Sequence, residues 1–505
     1  MANQSQALFR LIHSLTQSEK RYFSIGMTTQ RESSAFLKVF KCIDRQEVYD
    51  EAMLKQQLKK ESFVNHLSVI KVQLYHFLLK TLRNFHESRS VDFRLKELMM
   101  NAAILNEKAL YNESSSAVKR ARELALKFED WKVLLEILHK EYTLAQVTVR
   151  SKQLANELHR INTDEKKFIA QLNNYGELAY LALSLSMLLR KLRNAKKLSG
   201  AVAIRKILKD PVLKNEKKAI SFRAKSLFHY IWSSYYMASC QFEKAEHHLT
   251  QQINSYHENR HFLEAAPGNY LGALNDLLLS RYRTRQYNIV MQMIDEFKSL
   301  PDSNEIKRIT SRRFRMVIFS GTFKTEIGVA IQTNSLQEHL PVIQQQETLF
   351  NRHGNVMEPR RRLETILALA TMYFHLYNRK KAVQLVEQLL QDEAAILHHD
   401  LNVLARVLQI VLHFDDGSYD VLTYLVSGLK RFVARIKETS KMEKQLLEFA
   451  GRLETLHRKK NPHTFFEEQY KKFADLRKDR FEVYYFDYFD ITEWLKQKMK
   501  RKSLS

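Results

Sequence analysis

His257, Glu258, Arg260 and His261 spell H-E-x-x-H. In that pattern two imidazoles one helical turn apart bind zinc, and the glutamate polarises a bound water. The surroundings argue against it here. Arg260 sets a permanent cation between the two ligands, Glu264 is too near to be the usual third ligand, and Asp276 would have to serve. A solvent-exposed hairpin edge is the preferred reading, and no metal or cofactor site is assigned. His247–His248 and His398–His399–Asp400 place adjacent side chains about 100° apart on a helix, so neither group chelates by itself. Both are read as surface helix ends. No G-x-x-x-x-G-K-[ST], G-x-G-x-x-G or G-x-S-x-G occurs, so nucleotide hydrolysis and serine-hydrolase chemistry have no support. No catalytic residue is assigned, and the chain is read as a non-enzyme.

The strongest charge feature is residues 190–225, with thirteen basic residues against Asp210 and Glu216, or +11 of the chain's +25. Its candidate polyanion contacts are Arg190, Lys191, Arg193, Lys196, Lys197, Arg205, Lys206 and Lys209. A second patch, 307–324, adds Arg312 and Arg313. An edge that neutralised about six phosphates would lower log K with log salt at a slope near −5. Aromatic residues for base stacking are sparse there, so a solvated face is preferred and polyanion binding is the alternative.

Helices must position all of these residues. Gly 11 and Pro 6 in 505 residues lie far below the roughly 12% of ordinary chains. Strands and tight turns need those residues for positive φ or a preset turn, and helix interiors exclude them. Their scarcity predicts an all-α chain. Hydrophobic residues make up 45%, enough to bury a large core. The two cysteines, Cys42 and Cys240, make no disulfide framework and suit a reducing compartment. The opening MANQSQALFRLIHSL lacks the regions of a signal peptide. The most apolar stretch, 178–189, has about half of the roughly 20 residues that span a bilayer. The expectation is a cytoplasmic protein with no membrane partner.

A small or compact residue recurs on the second helix of successive hairpins, at Ala117, Ala155, Ala201, Ala245, Val290, Leu336 and Ala382. The spacings are 38, 46, 44, 45, 46 and 46. One such hairpin cannot bury both its faces, whereas stacked hairpins bury a continuous core. LFHYIWSSYYMASCQFEKAEHHL and LALATMYFHLYNRKKAVQLVEQLL carry the pattern best. Each has an aromatic in its first helix (Tyr236, Tyr373), a short turn, then alanine (Ala245, Ala382). In this they resemble the tetratricopeptide-repeat (TPR) superfamily, over roughly 95–430 as architecture. The register is longer than that family's repeat of about 34 residues, and its Trp-Leu-Gly run and repeat-end proline are missing. SLTQSEKRYF and YFDYFDITEWL are similar to an uncharacterised bacterial family of long helical-repeat proteins, a resemblance that implies no activity.

Three parts are expected: an N-terminal helical cap (1–90), TPR-like repeats (91–430) and a C-terminal helical cap (431–505). Together they would make a superhelical array of stacked antiparallel hairpins, an α-solenoid. In the first cap Thr16 and Glu19 offer a capping box, and Asp50 offers an N-cap. That unit is read as closing the stack rather than as a helix-turn-helix reader of DNA. In the second cap the aromatics from Phe481 to Phe489, with Trp494, are expected to pack on the last hairpin rather than face a partner. The register and the missing catalytic motifs point to a scaffold that binds a protein or peptide along its first helices. Tyr230, Tyr236, Asn269, Asn275, Arg281, Tyr373 and His375 are the groove candidates. A nucleic-acid- or ribosome-associated protein using the 190–225 edge is the alternative.

Overall fold

A computed structural model of the chain describes residues 2–27, 33–86, 90–194, 198–265, 267–303, 312–437, 439–458, 462–479 and 482–500. Among them the fold is all-helical with no strand, as the scarcity of glycine and proline requires. None of the described helices is long and apolar enough to cross a membrane. The chain divides into two compact units, Met1–Asn162 and Thr163–Ser505.

In the first unit α1 (Ala2–Ser14), α2 (Gln17–Met27), α3 (Ser33–Asp44), α4 (Glu51–Gln57) and α5 (Leu67–His86) enclose one core. Leu8, Ile12, Val39, Ile43, Leu74 and Leu78 are fully buried in it. The expected capping box forms. The Thr16 N–H donates to Glu19 Oε2 at 2.6 Å and the Glu19 N–H to Thr16 Oγ1 at 3.3 Å. Asp50 caps α4 by accepting from the N–H groups of Ala52 and Met53. α6 (Val91–Glu107), α7 (Tyr111–Lys127) and α8 (Trp131–Thr148) pack in succession. α9 (Ser151–Asn194) contains the boundary between the units.

The second unit continues with α10 (Leu198–Leu208), α11 (Phe222–Ala238), α12 (Phe242–Glu258), the short α13 (Phe262–Ala265), α14 (Pro267–Arg283) and α15 (Tyr287–Ser299). α16 (Arg312–Gln332), α17 (Leu336–His353), α18 (Pro359–His375), α19 (Arg379–Gln391), α20 (His399–Asp415) and α21 (Leu422–Val433) make three more hairpins. α22 (Lys441–Glu454), α23 (His463–Lys478) and α24 (Ile491–Lys500) follow.

Five hairpins, α11–α12, α14–α15, α16–α17, α18–α19 and α20–α21, turn in the same way. Past each first helix one residue is left-handed: Cys240 (φ 55°), Arg285 (63°), Asn334 (58°), Tyr377 (57°) and Gly417 (75°). The following N–H then bonds to the carbonyl five residues back, as in Gln241 to the Tyr236 carbonyl (2.9 Å) and Asn378 to the Tyr373 carbonyl (2.9 Å). That bond satisfies a carbonyl the helix end would leave orphaned. The geometry recurs even though only the last turn has glycine, the residue that adopts this φ without strain. The first helices α14, α16, α18 and α20 pack side by side in sequence order.

Ala245, Val290 and Ala382, five residues beyond their turns, are fully buried, so small side chains do sit where second helices approach closely. At the Asn334 turn the equivalent position is the half-buried His339, and Leu336 is three residues too early. Ala155 is exposed on α9 and mediates no close approach. The Ala201 side chain lies outside the described residues. α18 and α20 are buried over most of their length.

Candidate functional site

The first helices of the second unit meet the chain's own C-terminal segment. Asp487 pairs with Arg283 on α14. The Tyr488 hydroxyl donates to Glu364 Oε1 on α18 at 2.7 Å, and its carbonyl accepts from Thr371 Oγ1 at 3.1 Å. Trp494 Nε1 donates to Asp415 Oδ2 on α20 at 2.9 Å. Packing on the last hairpin alone was too narrow an expectation, because the segment reaches back across four hairpins. Tyr485 and Trp494 need both apolar cover and polar partners for their hydroxyl and indole groups, and with Phe489 they are 1%, 1% and 2% exposed. Glu364 lies at the centre, with Lys324 Nζ at 3.2 Å and Arg360 Nε at 3.1 Å. Burial alone would raise its carboxyl, but the two cations and the Tyr488 hydroxyl outweigh that and hold it at about 2.

This segment changes the fate of the groove candidates. Tyr373 is buried, and its hydroxyl donates to Glu347 Oε2 at 2.6 Å. His375 lies beside α24, lining a small enclosed space with Phe374, Asp415 and Trp494. Tyr373, 3% exposed, therefore presents no docking surface, while His375 stays half-buried at that space. Asn275 is pressed on α16, where a Cβ at Gly321 would fall 1.7 Å from its Oδ1. Glycine at 321 is what admits that amide. Arg281 is half-buried between Glu246 (3.8 Å) and Met293 Sδ (3.1 Å). The Tyr230 hydroxyl is tied to Ser186 Oγ on α9 at 3.0 Å. Tyr236 stacks on Trp232 at 5.5 Å between centroids, and Asn269 is exposed.

His375 supplies a pH test. Burial pushes it down to about 4, against a weaker opposing pull from Glu493. The unfolded chain therefore binds the extra proton between pH 6.5 and 4, and stability that is intact above pH 6.5 is lost as pH falls through that window. The expected loss from this group is roughly 3 kcal/mol by pH 4. Urea unfolding at several pH values, for wild type and His375→Asn, checks it. An unchanged acid limb in the variant would refute the assignment.

An open cleft between α20 and α21, of about 270 Å³, is lined by three guanidinium groups and no carboxylate: Arg406, Arg431 and Arg435, with Tyr424, Leu425, Gly428 and Phe432. Arg406 is held from two sides. Its Nε donates to the buried Asn402 Oδ1 at 2.8 Å, and its guanidinium sits 5.1 Å from the Phe432 ring centroid. Its Nη1 lies over Gly428, 3.5 Å from where a Cβ would stand, an ordinary contact distance. Burial lowers the Arg406 pKa, opposed by Tyr424 and aided by the smaller effect of the Arg431 charge. Tyr424 is 73% exposed at the rim. Nothing in the order of residues singles these out, because they form no run. Arg431 and Arg435 are one turn apart, and Arg406 comes from another helix.

The other motifs resolve differently. α12 ends at Glu258, so His261 lies beyond it against Phe262, and the His257 Nε2 meets the Tyr270 hydroxyl at 3.2 Å. The two imidazoles share no helical turn. Among the described residues no group of three or more His, Cys, Asp or Glu could hold a metal ion. His248 is no surface helix end: it is half-buried, with its Nδ1 3.1 Å from that of His229. Nor are His399 and Asp400 free at a surface. His399 Nδ1 is 2.8 Å from the buried Glu443, and Asp400 pairs with Arg360 at 2.7 Å. Of the basic candidates, Lys196 and Lys197 lie outside the described residues, as do the side chains of Arg190, Lys191, Arg193, Arg312 and Arg313. Arg205, Lys206 and Lys209 are exposed at the end of α10. No protein-family model, curated protein or solved structure matches the chain.

Proposed function

We propose that the chain is a non-enzymatic cytoplasmic scaffold, built as a TPR-like α-solenoid, that holds an acidic segment of a protein partner against Arg406, Arg431 and Arg435. Five like turns and the side-by-side first helices support the solenoid reading. Two cysteines in 505 residues, Cys42 and Cys240, fit a reducing compartment.

The observation that carries the binding site is the cleft with three guanidinium groups and no carboxylate. A half-buried cation without a counter-charge is unfavourable. Guanidinium forks match carboxylates in bidentate fashion, and an exposed tyrosine at the rim is an effective anchor at interfaces. The chain's own segment supplies the analogy, since Asp487 on Arg283 and Tyr488 beside Lys324 use the same acidic and aromatic chemistry.

The test is a fluorescence titration with a labelled peptide of Asp, Glu and Tyr. Arg431→Glu with Arg435→Glu is expected to weaken binding about 100-fold while leaving the circular dichroism spectrum unchanged. Equal affinity in the variant would sink the site. The exposure of Arg205, Lys206 and Lys209 favours the alternative, a polyanion edge. Heparin retention that disappears when those three become Gln, with no peptide binding, would favour that reading instead.

A further inference from the structure

α9 carries apolar residues on two opposite faces. Leu178, Leu181, Ala182 and Leu185 are buried against α11 and its neighbours. On the other side Ile169, Tyr180, Leu183 and Met187 are 42%, 71%, 69% and 52% exposed. A helix that is apolar all round belongs in an interior, and contiguous exposed apolar surface of this kind marks an interaction site. With Asn173 and Gly176, both also exposed, these residues form one stripe, 169–173–176–180–183–187. Its steps of 4, 3, 4, 3 and 4 residues average 3.6, the helical period, so the stripe stays on one face for about 27 Å.

The order of side chains identifies the occupant. The spacing reads the same in both directions about position 178. If a second α9 is laid antiparallel across that point, Tyr180 comes opposite the second copy's Gly176, Leu183 opposite its Asn173, and Met187 opposite its Ile169. The bulkiest side chain thus meets the position with none, twice by symmetry. Nothing lies within 4 Å of where a Cβ on Gly176 would stand, so the gap is open to a tyrosine ring. Knobs that fill complementary holes are what helix pairs require, and a two-fold interface must be self-complementary.

We propose that this face of α9 is a homodimer interface, closed by the antiparallel α9 of a second copy through two Tyr180–Gly176 layers. A single helix pair is small for an interface, so dissociation constants on the order of micromolar are expected.

Sedimentation of the full chain over about 1 to 100 µM tests it. Wild type is expected to shift from monomer to dimer. Gly176→Leu fills the hole with a side chain the monomer has room for, so the thermal melt is preserved while dissociation strengthens at least about 100-fold. Tyr180→Glu has the same effect. The double exchange Gly176→Tyr with Tyr180→Gly inverts both layers without changing their fit, and it restores the dimer. A wild-type chain that stays monomeric throughout, or a Gly176→Leu variant that dimerises like wild type, overturns the proposal.

Discussion

Trp494→Ala is expected to destabilise the second unit by about 4 kcal/mol. The indole is 1% exposed and meets Phe414, Phe449 and Phe466 edge-on at 6.2, 5.9 and 5.8 Å. Alanine leaves a cavity among rings that belong to α20, α22 and α23 and cannot all collapse into it. It also strips Asp415 of its indole donor, leaving the Lys498 ammonium 2.6 Å away as its partner. Trp494→Phe keeps most of the packing and loses the hydrogen bond, for about 1 to 2 kcal/mol. Chemical denaturation of the three chains checks the order. A stacked-hairpin array is coupled only between neighbours. Here Arg283 meets Asp487 across 204 residues of sequence, so the C-terminal segment joins α14 to α20 in one cooperative structure. If Trp494→Ala unfolds at the wild-type midpoint, that coupling does not exist.

Glu364→Leu is expected to cost about 3 to 5 kcal/mol, the penalty for leaving buried charge uncompensated. The substitution leaves Lys324 and Arg360 facing each other, with only Asp400 to balance Arg360. Tyr488→Phe removes one hydrogen bond and should cost about 1 kcal/mol. The carboxyl is held at about 2, below its ordinary value of 4.5. Its contribution is therefore complete above about pH 4.5 and lost as pH falls toward 2. That window lies below the one His375 governs, so the two acid transitions separate. Equal destabilisation by Glu364→Leu and Tyr488→Phe would show that the ion cluster contributes nothing beyond the single hydroxyl bond.

How much of this was legible in the sequence depends on the range of the interaction. The Thr16–Glu19 box, the Asp50 cap and the burial of Ala245, Val290 and Ala382 follow from neighbours within a few residues or from a periodic stripe. They were readable for that reason. The left-handed turns were readable only as gaps between stripes, since Cys240, Arg285, Asn334 and Tyr377 stand where glycine would have signalled the geometry. Leu336 was misplaced because no small residue marks its turn. Tyr373 and His375 sit on the right kind of helix. What lies over or beside them is decided by α17 and by the distant C-terminus.

The sequence alone determined that the chain is helical, where several helices begin, and that hairpins recur. Hydrogen bonding within a segment, the exclusion of glycine and proline, and apolar periodicity are local and are written in the order of residues. Tertiary structure decided which faces remain open. It set Tyr488 on Glu364, gathered Arg406, Arg431 and Arg435 round one cleft, and left the Tyr180 face of α9 bare. Those outcomes depend on contacts between segments tens to hundreds of residues apart, and no local pattern encodes which segment covers which face.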